Sequence, residues 1–403
     1  MADKTTDLPK LKINELITVS IGPIAHGGHF VSRYNGQVIF VRHAITDEIA
    51  IVRITSIGSK IAFGDAIEIL KSSKDRVAAP CKYSHPELCG GCDFQHISTT
   101  AQLKLKKLVI EEQFKRIADI KISPEVLNGE IDSGLHWRTH LDFAISKNGK
   151  IGLYSFKAKE VIEIDECLIA VDAINQLDVF KSKWDGDERL SVFASSLNEV
   201  SIHRSEKKIS GPSEINEIVE GHSYNISHGS FWQSHKNAPK ILIKKLMEFA
   251  NLELGDRVCD LYGGVGLFTA PILKIIGEVG EIHLIESNSR CIKDAKKIFE
   301  NEKNVIIHHG KVEQKLGRIK NIDVIIMDPP RTGATKQVIN QIIEKKARSI
   351  IYISCDPASL ARDTKILLNN SYTLDEIIGL DLFPMTHHIE CIASFTLSKK
   401  ISI

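Results

Sequence analysis

The sequence predicts an α/β protein in three parts: a small β-barrel over residues 10–71, a β-rich central domain over 72–225, and a Rossmann-like α/β domain over 226–403. Three observations carry that reading. From about residue 236, short β-branched runs alternate with helical stretches, the rhythm of a mostly parallel sheet with helices on both faces. Before that point, two β-rich stretches are punctuated by glycine and turn signals without such alternation. At 403 residues, the chain is long enough for two or three separate cores.

The barrel rests on Leu16-Ile-Thr-Val-Ser-Ile, the Gly27-Gly28 pair, Gln37-Val-Ile-Phe-Val and Glu48-Ile-Ala-Ile-Val-Arg-Ile, whose tight spacing points to a small antiparallel barrel. Ala79-Pro80 breaks the chain and leads into a cysteine cluster. A lysine-rich helix follows over 100–117, with Leu103, Leu105, Leu108 and Phe114 toward a core and the lysines toward water. The stretch 136–226 is β-rich again, with a hairpin signal at Lys147-Asn-Gly-Lys. In the last part Arg257-Val-Cys-Asp-Leu-Tyr, Glu281-Ile-His-Leu-Ile-Glu286, Asn304-Val-Ile-Ile-His-His, Asp323-Val-Ile-Ile-Met-Asp328 and Ser349-Ile-Ile-Tyr-Ile-Ser-Cys355 read as five successive strands. Glu390-Cys-Ile-Ala-Ser-Phe-Thr-Leu reads as a terminal one.

Hydrophobic residues make up 43% of the chain and charged ones 26%, an ordinary globular balance. No stretch approaches the roughly 18 consecutive apolar residues of a membrane helix. The polar start Met1-Ala-Asp-Lys-Thr-Thr-Asp is no signal peptide, so a cytoplasmic protein without a membrane partner is expected. A net charge of +1, from 52 basic and 51 acidic residues, argues against a non-specific polycation but leaves room for a local basic patch.

In open α/β sheets, ligands bind beyond the carboxyl ends of the strands. Asp260-Leu-Tyr-Gly-Gly-Val-Gly places Gly264 and Gly266 in the first strand-to-helix turn, where a ligand can approach bare backbone. Glu286 ends the second strand, where a carboxylate can accept both hydroxyl protons of a ribose. Those two features fit any nucleotide-like cofactor, NAD included. Asp328-Pro-Pro-Arg331 at the fourth strand end is not a dinucleotide-binding feature and resembles the (D/N)PP(Y/R) element of methyltransferases. Cys355, in Ser354-Cys-Asp-Pro, ends the fifth strand directly before a helix start, a position that favours a thiolate. Phe383-Pro-Met-Thr-His-His-Ile-Glu390 offers His387, His388 and Glu390 as candidate bases.

Eight cysteines are present. Cys259, Cys291 and Cys391 sit in apolar or helical patterns, as small core residues do. Cys81, Cys89 and Cys92, with Cys167 further on, form a set of four that zinc and a four-iron cluster would both accept.

Taken together, the chain resembles the RNA uridine-5-methyltransferase family over nearly its whole length. That family makes 5-methyluridine in transfer or ribosomal RNA. The resemblance is carried by Asp260-Leu-Tyr-Gly-Gly-Val-Gly, Asp328-Pro-Pro-Arg, Ser354-Cys-Asp-Pro and Phe383-Pro-Met-Thr-His-His-Ile-Glu390, and in the barrel by Ala25-His-Gly-Gly and Val38-Ile-Phe-Val-Arg. It implies a class I transferase (EC 2.1.1) that uses S-adenosylmethionine, with a TRAM/OB-like barrel gripping structured RNA, ribosomal or transfer, and a monomeric state. Cys355 would be the nucleophile and Glu390 the proton-abstracting base. Gln233, Tyr262, Glu286 and Asp328 fall where the family contacts its methyl donor. The Cys89-Gly-Gly-Cys-Asp-Phe-Gln-His run resembles the family's iron–sulfur segment, so Cys81, Cys89, Cys92 and Cys167 would hold a 4Fe-4S cluster, with zinc as the alternative.

Two positions depart from the family pattern: its first-block cysteine is Gly263 here, and its Asn after the last glycine is Leu267. The strand-five placement of Cys355, with no cysteine in Asp328-Pro-Pro-Arg, favours uridine over cytosine by resemblance. An RNA cytosine-5-methyltransferase and a non-catalytic RNA-binding or chaperone protein on the same fold are the alternatives.

Overall fold

The computed structural model describes residues 11–156 and 160–398. The ends of the expected barrel and catalytic ranges, residue 10 and residues 399–403, lie outside them.

The carboxy-terminal half is organised by one eight-stranded sheet. Its order is Val305–His309, Glu281–Glu286, Arg257–Leu261, Val324–Met327, Ser349–Ser354, Glu390–Leu397, Tyr372–Asp381 and Glu125–Asn128. The first five strands are parallel, and Glu390–Leu397 is antiparallel to both of its neighbours. Strand Val324–Met327 and strand Ser349–Ser354 are buried at every position, as the unbroken β-branched runs predict for strands covered on both faces. Cores lie on the two faces of this sheet, one around Leu242, Leu284 and Ile351, the other around Ile325, Tyr352 and Phe395.

Two strands of this sheet escape the sequence pattern. Tyr372–Asp381 carries charged residues in its exposed half. Glu125–Asn128 is four residues long, lies within the stretch read as the central domain, and pairs in parallel with Tyr372–Asp381 through Ile378↔Glu125 and Asp381↔Asn128.

The amino-terminal sheet has the order Leu16–Ser20, Ile49–Ile57, Ile61–Lys71, Gln37–Arg42, Phe30–Tyr34. It differs from the expected barrel in two ways. Gln37–Arg42 and Ile61–Lys71 run parallel, and no strand ladder closes the outer two strands among the described residues. Three register shifts between Ile49–Ile57 and Ile61–Lys71 curl the sheet, as bulges do. Two hydrogen bonds, Ser32 Oγ to Ser20 O and Gly22 N to Val31 O, both 2.8 Å, span the remaining gap.

Helix Thr99–Gln113, continued by a π-helical turn Phe114–Ala118, ties the parts together. Ala101 and Leu105 belong to the amino-terminal core, whereas Ile110, Phe114 and Ala118 belong to the core of the catalytic sheet. Leu108, expected inside, is exposed, and Lys106, expected in water, is 1% exposed. A helix buried on two sides has no single solvent face to carry its lysines. The central six-stranded sheet includes the expected hairpin, with Lys147-Asn-Gly-Lys between His140–Ile145 and Ile151–Tyr154.

Candidate active site

The carboxyl ends of the parallel strands open into a cleft of about 730 Å³, which gathers Gln233, Tyr262, Gly264, Glu286, Asp328, Cys355 and Glu390. Gly264 has φ +56° and open space where a Cβ would sit, and its N–H donates to Glu286 Oε2 at 3.1 Å. Glu286 Oε1 accepts from the N–H groups of Ser287 and Asn288, each at 2.6 Å, so the carboxylate is fixed before any ligand arrives. Gly266 is not part of the cleft wall. Its φ is +94° and an added Cβ would lie 2.3 Å from the Phe299 ring, so this glycine serves packing rather than ligand approach. At Gly263 a Cβ would meet Leu284 at 2.8 Å and the Asp260 carboxyl at 3.0 Å, tight quarters for the family's cysteine. Leu267 is buried, and its carbonyl accepts the Tyr224 hydroxyl at 3.0 Å.

Three acids in or behind the cleft, Asp260, Asp328 and Glu390, are pushed up by burial. Burial pushes Asp260 up to about 7 even though Thr269 Oγ1 donates to it at 2.7 Å. Burial, followed by repulsion from Asp260, pushes Asp328 up to about 7, with Gln233 Nε2 3.4 Å away opposing. Glu390 is raised well above the ordinary carboxyl range by burial and then by Asp328, and Arg331 pulls the other way. Its Oε1 is buried and has no hydrogen-bond partner, an acceptor left open.

Cys355 ends strand Ser349–Ser354, and Asp356 caps helix Pro357–Leu368 by accepting from Ser359 N at 2.7 Å. The helix start favours a thiolate, but the folded surroundings do the opposite. Burial, then the Glu390 and Asp328 carboxyls, push the Cys355 thiol up to about 12, against the pull of Arg331. Asp328 and Glu390 are brought beside it from other strands. Burial and these carboxyls thus oppose the thiolate that the helix start favours.

Three further contacts at this end of the sheet have no sequence signal. His26, in the amino-terminal sheet's Ala25-His-Gly-Gly turn, places Nε2 2.9 Å from Asp356 Oδ2. His388 lines the cleft, 3.4 Å from Arg331 Nη2, and is drawn down to about 3 by burial, then by His387 and Arg331. His387 Nδ1 lies 2.6 Å from Asp93 Oδ2. Each links positions far apart in the chain, which no local pattern can show.

Cys81, Cys89, Cys92 and Cys167 line one cavity of about 340 Å³ in the central part, and all four are free. The Gly91 N–H points at Cys89 Sγ over 3.4 Å, and Gly90 has no room for a Cβ against the Phe156 backbone at 2.8 Å. Among the described residues, no three or more His, Cys, Asp or Glu side chains close on a common metal centre. Cys259, Cys291 and Cys391 are buried core residues, as their patterns predict.

A seven-stranded arrangement of this order, joined by an eighth strand and with its cleft at the carboxyl ends, defines a methyltransferase fold. The family model described as tRNA (Uracil-5-)-methyltransferase matches residues 311–399, and that of the methyltransferase small domain matches residues 229–351. A relative described as an uncharacterized RNA methyltransferase, from Streptomyces avermitilis, is 36% identical, covering 94% of this chain and 98% of its own length. One of Streptomyces coelicolor is 34% identical, covering 96% and 93%. The crystal structure of the Pyrococcus abyssi tRNA (uracil-54, C5)-methyltransferase in complex with S-adenosyl-L-homocysteine shares the fold, with a TM-score of 0.72 and 22% identity over 94% of this chain and all of that one. The chain belongs to the RNA uridine-5-methyltransferase family and is an RNA methyltransferase.

Proposed function

We propose that the protein transfers a methyl group from S-adenosylmethionine to carbon 5 of a uridine in structured RNA, with Cys355 as nucleophile and Glu390 as base. The observation that carries this reading is the shared cleft. A cysteine and a buried carboxylate with an unpartnered oxygen face the same space, beside Asp328 and Arg331. Uracil carbon 5 is too weak a nucleophile to take a methyl group unaided. Addition of the Cys355 sulfur to carbon 6 as a thiolate, its proton having left to solvent, makes carbon 5 an enolate carbon that can. The donor supplies an electrophilic methyl on a sulfonium. Glu390 then removes the carbon 5 proton, the ring double bond reforms, and the carbon 6–sulfur bond breaks to release Cys355. A raised carboxyl suits this work, since it is a stronger base once ionised.

Glu286, at the end of the second strand and locked by three N–H groups, fits a ribose diol. Gln233, Tyr262 and Asp328 line the same cleft as Glu286 and would contact the donor there. In this reading, residues 10–71 form a TRAM-like RNA-binding domain, 72–225 a central domain and 226–403 the catalytic domain. The four cysteines fit a 4Fe-4S cluster in their donor set and in the Gly91 N–H aimed at sulfur, and Cys81, Cys89, Cys92 and Cys167 would hold it. The cluster would supply a structural tie and no redox step.

Incubation with methyl donor and RNA carrying 5-fluorouridine tests the reading, because fluorine cannot be abstracted and the adduct persists. A covalent protein–RNA species is expected with the native protein and none with Cys355→Ala. Absence of adduct with transfer and ribosomal RNA, or an adduct that survives Cys355→Ala, refutes it. Mass spectrometry of the product nucleoside separates 5-methyluridine from 5-methylcytidine.

A further inference from the structure

The loop over residues 382–389 joins the last two strands and leads directly into Glu390, the first residue of strand Glu390–Leu397, so its conformation bears on where the carboxylate sits. Its own half holds the loop through Thr386 on the Phe383 carbonyl, Arg331 beside His388 and the buried Ile389, and the turn around Met385 is held from outside. Met385 stands at φ +65°, a backbone state unfavourable for a side chain of its size. Its carbonyl accepts from both Asp93 N at 3.1 Å and Phe94 N at 3.0 Å, and its N–H donates to Gln102 Oε1 at 2.9 Å. Lys106 Nζ donates to the Phe383 carbonyl at 3.1 Å while pairing with Asp381 Oδ1 at 2.5 Å. Asp93 takes the His387 ring at 2.6 Å, and its side chain is 15% exposed. The segment just after Cys92 thus grips the base loop by backbone and side chain together.

We propose that Asp93 is a positioning residue for proton removal: through His387 and the Met385 carbonyl it sets the loop that aims Glu390 at carbon 5. The inference rests on the uridine reading above. Asp93 touches neither substrate nor donor. It acts on the second half of the reaction, in which the carbon 5 proton passes to the Glu390 carboxylate, the electrons of that bond reform the ring double bond, and the carbon 6–sulfur bond breaks. Sulfur addition and methyl transfer depend on Cys355, which is carried by another strand.

The test compares native protein with Asp93→Ala, Asp93→Asn, His387→Ala and the Asp93→Ala/His387→Ala double variant on unmodified RNA and on 5-fluorouridine RNA. Loss of the hydrogen bond should slow turnover by about ten- to a hundredfold, the scale of a small misplacement. Adduct yield on 5-fluorouridine RNA should stay at the native level. On unmodified RNA a methylated covalent species should accumulate that native protein does not show. Asp93→Asn keeps an acceptor for His387 and should regain most of the turnover. The double variant should be no slower than either single one, because both remove the same bond. His387→Ala leaves the neighbour of Cys92 untouched, so it keeps the test valid if the Asp93 variants fold poorly. Equal loss of adduct formation and turnover, or additive effects of the two substitutions, overturns the proposal. Failure of the native protein to form any adduct instead overturns the uridine reading beneath it.

Discussion

At the scale of single residues, the nucleophile is defined by what surrounds it more than by where it ends its strand. The Ser354-Cys-Asp-Pro motif and the Asp356 helix cap are legible in the sequence, because strand, cysteine and cap are contiguous. Asp328 and Glu390 are legible as site residues too, but their push on the thiol is not, because the sheet brings them beside it from other strands. Their effect has a measurable sign. A thiol pushed up to about 12 stays neutral through ordinary pH and gains thiolate only as pH rises. Alkylation of Cys355 by iodoacetamide in the ligand-free protein should therefore climb with pH and reach no plateau short of about 12, read by mass spectrometry of the Cys355 peptide. Glu390→Gln removes one negative neighbour and should shift the curve to lower pH. A plateau in the neutral range would contradict the assignment of repulsion to these carboxyls.

Among elements, helix Thr99–Gln113 shows how a sequence pattern can be read correctly as a helix and wrongly as a surface. Its lysines alternate with leucines as on an amphipathic helix, yet Lys106 is buried against Asp381. The five parallel strands were legible because each is a short, mostly apolar and β-branched run set between helical stretches. Glu125–Asn128 and Tyr372–Asp381 were not, since a short strand and a half-charged one gain their place from distant partners. Breaking a buried ion pair by removing one partner leaves an uncompensated charge, at a cost of about 3–5 kcal/mol. Lys106→Met should lose stability on that scale in urea denaturation. Adding Asp381→Leu should restore much of it, because replacing both charges removes the desolvation penalty as well. A loss below about 1 kcal/mol for Lys106→Met would mean that the pair behaves as a surface bridge.

For the whole molecule, the three parts meet at the strand ends rather than following one another along the chain. The turn of the amino-terminal sheet touches the catalytic half twice, through His26 at Asp356 and through Gly28 at His387. Gly28 has φ +78°, and an added Cβ would fall 2.4 Å from the Cβ of His387. Gly28→Ala therefore both strains the turn and pushes the sheet off the base loop. Limited proteolysis in the stretch around Ala79-Pro80 should become faster in Gly28→Ala than in native protein, with turnover falling alongside. Unchanged protection would show that the turn is not what holds the sheet in place. The glycine pair was visible in the sequence as a turn, whereas its partner, hundreds of positions away, was not.

The strand Glu125–Asn128 has a bearing on how the protein is made. It leaves the ribosome long before Tyr372–Asp381, the strand it pairs with, has been translated. Domains fold as units during synthesis, amino-terminal part first, but here the edge of the sheet cannot be filled before Tyr372–Asp381 has been made. The same holds for the base loop, whose grip on Asp93, Gln102 and Lys106 cannot close until Glu390 has emerged. A chain that has not yet reached Phe383, His388 and Glu390 therefore has no completed cleft.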